Sequence, residues 1–289
     1  MISTKPLPTK IHPLKQRAPS AKHMTIVFGV LQSNSIVFAA DTEETGVFLK
    51  LDTPKLYSYS RSNGESLVIG GAGLPFSVDT LQQRLGRSFI ADSDSFEDTA
   101  EALIKQFHNE YVGDQTDRDF WLILGFSLRI AEGKYDHRLL ISENGGLRNS
   151  GGIATIGIGM EIARNLLKRY AILAPIPIPE LSAVHVLRHV KEQAQYCGRD
   201  SMVWCLCGPD VFMMSSSHIQ RAEELSRRYD ELTNNLFSAL FAKETALPYI
   251  DSKLRGLRAD YARVVDELKS RYANEREISE HFRSDPEAH

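Results

Sequence analysis

Residues 25–46 read TIVFGVLQSNSIVFAADTEETG, and that stretch decides the fold class. Thr25–Leu31 and Ser35–Ala40 are apolar runs rich in β-branched and aromatic residues, too short for helices and bounded by turn-forming residues. Gln32-Ser33-Asn34 between them is a hairpin signal, so two antiparallel strands open the ordered chain. The second run stops at Asp41, sixteen residues after Thr25, which sets a carboxylate at the end of an apolar strand.

Working outward, strand patterns recur at Lys55–Tyr59 and at Ser66–Ile69, the latter running into Gly70-Gly71-Ala72-Gly73. Helical spacing follows at Val78, Leu81 and Leu85, then at Ala100, Leu103, Ile104, Phe107 and Tyr111, with Ser95 as the second helix's cap. Strands return at Phe120–Phe126, Arg138–Ser142 and Ile153–Ile156. Two helices, near Met160–Tyr170 and Leu181–Gln195, flank the proline-rich Pro175–Pro179, and Met202–Cys207 is a last strand. Strand runs alternating with helix pairs predict a layered α+β body, two antiparallel sheets covered by helices. Beyond it, Leu254, Leu257, Tyr261, Val264 and Leu268 step by three and four, an amphipathic seam in a charged helical tail. Docking on the body suits two heptads better than a free coiled coil, with a neighbouring subunit as the alternative contact. Met213–Ser217 reads as a loop before a helix cap. The expected division is a basic leader over 1–24, a body over 25–212 and a helical extension over 213–289.

Composition narrows the function. The 289 residues are 42% hydrophobic and 25% charged, ordinary usage for a folded protein. With 34 Lys and Arg against 37 Asp and Glu, the net charge is -3, which offers no surplus for nucleic acid. Lys5, Lys10, Lys15, Arg17 and Lys22 are the one basic cluster, in a proline-spaced segment with little to bury. No run approaches the roughly 18 apolar residues of a membrane span, and residues 1–23 lack the apolar core of a secretory signal. Three cysteines, Cys197, Cys205 and Cys207, fit a reducing compartment, so the expected location is cytoplasmic. Cys205 and Cys207 share one side of a strand and read as core. His185 and His189, four apart on a helix, read as a helix face in the absence of a third ligand. No metal or cofactor is expected.

The ordered landmarks resemble proteasome β-type subunits and the related bacterial threonine peptidases, members of the N-terminal-nucleophile hydrolases. The resemblance rests on Thr25-Ile26-Val27, on Ala39-Ala40-Asp41, and on Lys55-Leu56. Gly70-Gly71, the Leu122–Phe126 hairpin with Gly145-Gly146, and Gly157-Ile158-Gly159 extend it, so that it covers roughly residues 24–208. It implies a four-layer αββα sandwich and cleavage of peptide bonds by Thr25. It further implies peptide or unfolded-protein substrates, homo-oligomeric rings or spirals and an unfoldase partner.

The chemistry is coherent on its own terms. A threonine hydroxyl needs a base, and a free α-amine, titrating at about 7.7–8.0, could serve if Thr25 became the first residue. Lys55 would disfavour protonation of that amine, Asp41 would hold Lys55, and the Gly70 N–H would stabilise an oxyanion. By the same resemblance Asp200 supports the site, while Glu44, Thr45, Val68 and Ala72 line the substrate cleft. The plain readings are a strand threonine, a turn aspartate, an edge lysine and a glycine turn. Met24 precedes Thr25, so a start at Met24 or removal of the 24-residue leader would expose it. Departures exist. Ile158 replaces the family's serine, and Asp-x-x-Ser-Gly-Gly is not recovered around Tyr196–Ser201. Two further readings therefore stand beside the peptidase, a catalytically inactive scaffold subunit and a small-amide hydrolase.

Overall fold

The computed structural model describes residues 25–45, 50–52, 54–73, 75–91, 96–112, 120–143, 145–173, 179–194, 197–198, 200–241 and 247–284. The chain runs through β1 (Ile26–Leu31), β2 (Ile36–Asp41), β3 (Glu43–Thr45), β4 (Lys50–Asp52), β5 (Leu56–Ser60), β6 (Ser66–Gly73), α1 (Pro75–Ala91) and α2 (Phe96–Phe107). A π-helical turn (His108–Val112) leads to β7 (Phe120–Ala131), β8 (Lys134–Glu143), β9 (Gly146–Asn149) and β10 (Ile153–Gly157). Then come α3 (Met160–Leu173), α4 (Pro179–Gln193), β11 (Ser201–Cys207), β12 (Asp210–Met213), α5 (Ser216–Phe241) and α6 (Leu247–Ser284). The leader over 1–24, the Ser95 cap and residues 175–178 of the proline-rich stretch lie outside the described residues, while Pro179 opens α4.

The strands form two five-stranded antiparallel sheets, ordered β10-β1-β2-β11-β12 and β5-β6-β7-β8-β9, with β3 and β4 as a separate pair. The unbroken apolar run of β2 follows from its central place in the first sheet, where both faces are covered. Ile36, Phe38 and Ala40 enter a cluster with Val68, Ile123 and Leu139 of the second sheet. Val37 and Ala39, on the opposite face, pack with Val184 and Leu187 of α4. The far face of the second sheet does the same with the other helices. Leu67, Ile69, Leu122 and Leu124 meet Leu81 and Leu85 of α1 and Ala100 and Ile104 of α2. Each fully buried side chain of this size contributes about 1.5–3 kcal/mol.

Several elements escape the sequence. β9 and β12 are four-residue strands at sheet edges, and β3 and β4 have three residues each, too short to show a period. Met213, expected in a loop, ends β12, and Cys207, expected in the core, is exposed where β11 runs out from under its cover. In the tail, Tyr261, Val264 and Leu268 dock on the body, joining Phe212 of β12 and Ile219 and Ala222 of α5. Arg228 to Asp260 and Arg221 to Glu267 tie α5 to α6 along the same seam.

Phe38 is the pivot between the sheets. Its ring lies so close to Gly125 that a Cβ there would come within 2.3 Å of it. Phe38→Ala should lower unfolding free energy by about 3–5 kcal/mol in denaturant titrations, because a rigid interface cannot collapse onto the hole. A loss under about 1 kcal/mol would mean the sheets are not packed through this residue.

Candidate active site

The end of β2 carries Asp41 into the interior, where its side chain is fully buried beside Thr25, itself only 5% exposed. Antiparallel pairing of β1 with β2 brings these positions together across sixteen residues of sequence. Thr25 Oγ1 donates to Asp41 Oδ1 at 2.5 Å, and the Ile26 N–H donates to the same oxygen at 3.0 Å. The Gly198 N–H reaches Asp41 Oδ2 at 3.3 Å from the connection between α4 and β11.

Burial pushes the Asp41 carboxyl up to about 6 despite these three donors, all of which favour the charged form. The positive charge of Lys55 acts on Asp41 in the same direction as the donors, so the lysine lies within electrostatic reach. Lys55 is half-buried at the entry to β5, and its carbonyl accepts from the Gly71 N–H at 3.3 Å and from Gln82 Nε2 at 3.5 Å.

The backbone of Thr25 is fixed from the far side. The Ile158 N–H donates to the Thr25 carbonyl at 2.8 Å. Gly157 has φ +91°, and a Cβ on it would sit 2.1 Å from that carbonyl oxygen, so only glycine admits the turn. Gly157 and Gly198 are the two positioning residues that sequence reasoning missed as parts of the site. The Gly-Ile-Gly turn was a signal for the first. Nothing in the spacing points to the second.

Other expected residues lie elsewhere. Gly70 is interior to β6, paired with Leu56 on one side and Ile123 on the other. Because Gly71 donates to Lys55, the alternation of an antiparallel ladder turns the Gly70 N–H toward β7, away from a role as oxyanion donor. Its lack of a side chain serves packing instead, since a Cβ would lie 2.6 Å from Val27 Cγ1. Val68 and Ala72, on the same face of β6, are buried in the cluster between the sheets and present no surface to a substrate. Asp200 is exposed, and it is its backbone carbonyl that accepts from the Thr42 N–H, at 3.1 Å. Glu44 and Thr45 lie on β3 opposite Leu51 and Lys50, and their side chains fall outside what is described.

The histidine pair gains a third neighbour. Ligand atoms of His185, His189 and Asp230 lie within 4.8 Å of one another. Arg188, almost fully buried, donates to Asp230, and its Nη2 lies 3.1 Å from His189 Nε2. A guanidinium thus already occupies the cationic place, and the cluster is an ion-pair hub between α4 and α5.

No protein-family model matches the sequence, and no curated protein sequence matches it. Solved structures do match. Anbu (ancestral beta-subunit) from Yersinia bercovieri superposes with a TM-score of 0.61 at 16% identity, covering 77% of this chain and 99% of that one. Anbu from Hyphomicrobium sp. strain MC1 gives 0.59 at 15%, over 74% and 97% of the two chains. The helical assembly of the Anbu complex from Pseudomonas aeruginosa gives 0.59 at 14%, over 77% and 100%. At such identities the likeness concerns the fold alone. The fold is proteasome-like.

The Asp41 environment sets a pH dependence of stability. A carboxyl whose folded pKa stands above its unfolded value favours the folded state most below about pH 4. That contribution is lost as the pH rises through about 6. The rise from 3.8 to about 6 corresponds to about 3 kcal/mol. Chemical denaturation from pH 4 to 7 should show this decline in the wild-type chain and lose it in Asp41→Asn. Parallel profiles for the two chains would place the titrating group elsewhere.

Proposed function

We propose that this protein is a threonine-type N-terminal-nucleophile hydrolase that cleaves peptide bonds after Thr25 becomes the first residue. The observation that carries the reading is the hydrogen bond from Thr25 Oγ1 to the buried Asp41, with Lys55 in electrostatic reach. In the unprocessed chain the hydroxyl keeps its proton, directed at the carboxylate oxygen, and the side chain is shielded, which suits a stored nucleophile. Release of residues 1–24 supplies an α-amine that takes the hydroxyl proton as Oγ1 attacks the amide carbonyl. The amine's proton then passes to the departing nitrogen, and water hydrolyses the acyl-threonine ester. Asp41 orients the hydroxyl, Gly157 and Gly198 hold Thr25 and Asp41 in register, and Lys55 supplies the positive charge.

The reading includes a four-layer αββα body over residues 25–212 with a helical extension over 213–289. It includes peptide or unfolded-protein substrates, an unfoldase partner, a cytoplasmic location and assembly into homo-oligomeric rings or spirals. The helical assembly of the Pseudomonas aeruginosa Anbu complex supports the last point. No helix among the described residues is long and apolar enough to cross a membrane. The rival is a catalytically silent scaffold of the same fold, favoured by Ile158 in the family's serine position and by the Gly70 N–H lying in the ladder.

Peptide turnover by the processed chain tests the reading. Thr25→Ala should abolish turnover while the chain still folds, seen as a cooperative thermal unfolding transition. Lys55→Ala should cut turnover by about 10²–10⁴-fold, the usual range for losing support of proton transfer. Undiminished turnover in Thr25→Ala would exclude this nucleophile.

A further inference from the structure

Between α4, α5 and α6 lies a cavity of about 350 Å³ lined by none of the residues gathered around Thr25. That volume falls within the roughly 300–1,000 Å³ of small-molecule sites. Leu181, Leu225 and Leu257 form its walls, and Tyr229 and Leu254 stand at its edges, 49% and 41% exposed. The seam of α6 explains the opening. From Tyr261 to Leu268 it packs into the core, whereas at Leu254 and Leu257, one heptad earlier, the same apolar stripe faces the cavity. Interiors otherwise pack at crystal density, so an apolar space this large has room for an occupant.

Arg258 also lines the cavity and is exposed to solvent. Its neighbours on α5 and α6 are committed: Arg228 and Arg263 both hold Asp260, and Arg255 holds Asp251. Arg258 has no ion pair among the described residues. His185, on the opposite wall, adds no second cation at neutral pH, because burial holds it down at about 4, and its Nδ1 is 2.6 Å from Ser226 Oγ. One guanidinium beside an apolar floor matches an anion carried on an apolar body. A neutral apolar ligand would leave the guanidinium unused.

We infer that the α4–α5–α6 cavity binds an amphipathic monocarboxylate, its alkyl chain among the leucines and its carboxylate on Arg258. The site is separate from the Thr25 cluster and does not depend on the proposed hydrolase activity.

Calorimetric titration of the full chain with octanoate, and in parallel with octan-1-ol, tests it. Octanoate should bind saturably, with octan-1-ol at least about tenfold weaker, the worth of one charge-assisted hydrogen bond. Arg258→Ala, a change at an exposed position, should erase that preference. Leu257→Trp should fill the cavity and remove binding of both ligands. No saturable binding of octanoate below its micelle concentration would overturn the inference. So would equal binding of the two ligands, or a preference that survives in Arg258→Ala.

Discussion

Asp41 is removed wholly from water at the end of β2, and a carboxylate in such a place is tolerable only because three donors converge on it. The donors come from two distant parts of the chain. Thr25 precedes β1, Ile26 opens it, and Gly198 belongs to the connection from α4 into β11. Holding all three fixes the β1–β2 register and the entry of β11 beside β2, where Ser201 stands opposite Asp41. A one-residue slip in either pairing would strand the carboxylate. The first sheet is thereby built around a fully buried acid at its centre.

The same bond ties architecture to chemistry. A threonine whose hydroxyl donates to a buried carboxylate is both shielded and oriented, and burial leaves that carboxylate with a pKa of about 6. Above that pH Asp41 is mainly charged and the hydroxyl stays directed at it. Gly157 completes the arrangement by letting the β10–α3 turn approach the Thr25 carbonyl, where any side chain would collide. The peptide unit of Thr25 is thus clamped on one side by a turn and on the other by an acid.

Much of this was legible in the sequence. The β1–β2 hairpin, the glycine-rich end of β6 and the helix pairs carry periodic or turn signals that local chemistry produces. The sixteen-residue spacing put Thr25 and Asp41 in one site, but the expected role of Asp41 was to hold Lys55, whereas its carboxylate accepts from Thr25 and Ile26. What stayed hidden depends on three-dimensional neighbours. The direction of the Gly70 N–H is set by ladder alternation against β5 and β7, and the burial of Val68 and Ala72 by the facing sheet. Gly198 acts through its backbone, which leaves no mark in side-chain pattern. The short edge strands β9 and β12 are ordered by their partners. Along the tail one seam reads uniformly, yet its second half docks while its first half borders an open cavity.

The central claim is that Thr25 is a nucleophile awaiting its own free amine. The intact mass and N-terminal sequence of the protein, purified from the cells that make it, test that claim most directly. The account predicts a chain beginning at Thr25. A chain that still carries residues 1–24 in its assembled form would contradict it and leave the fold serving as a silent subunit.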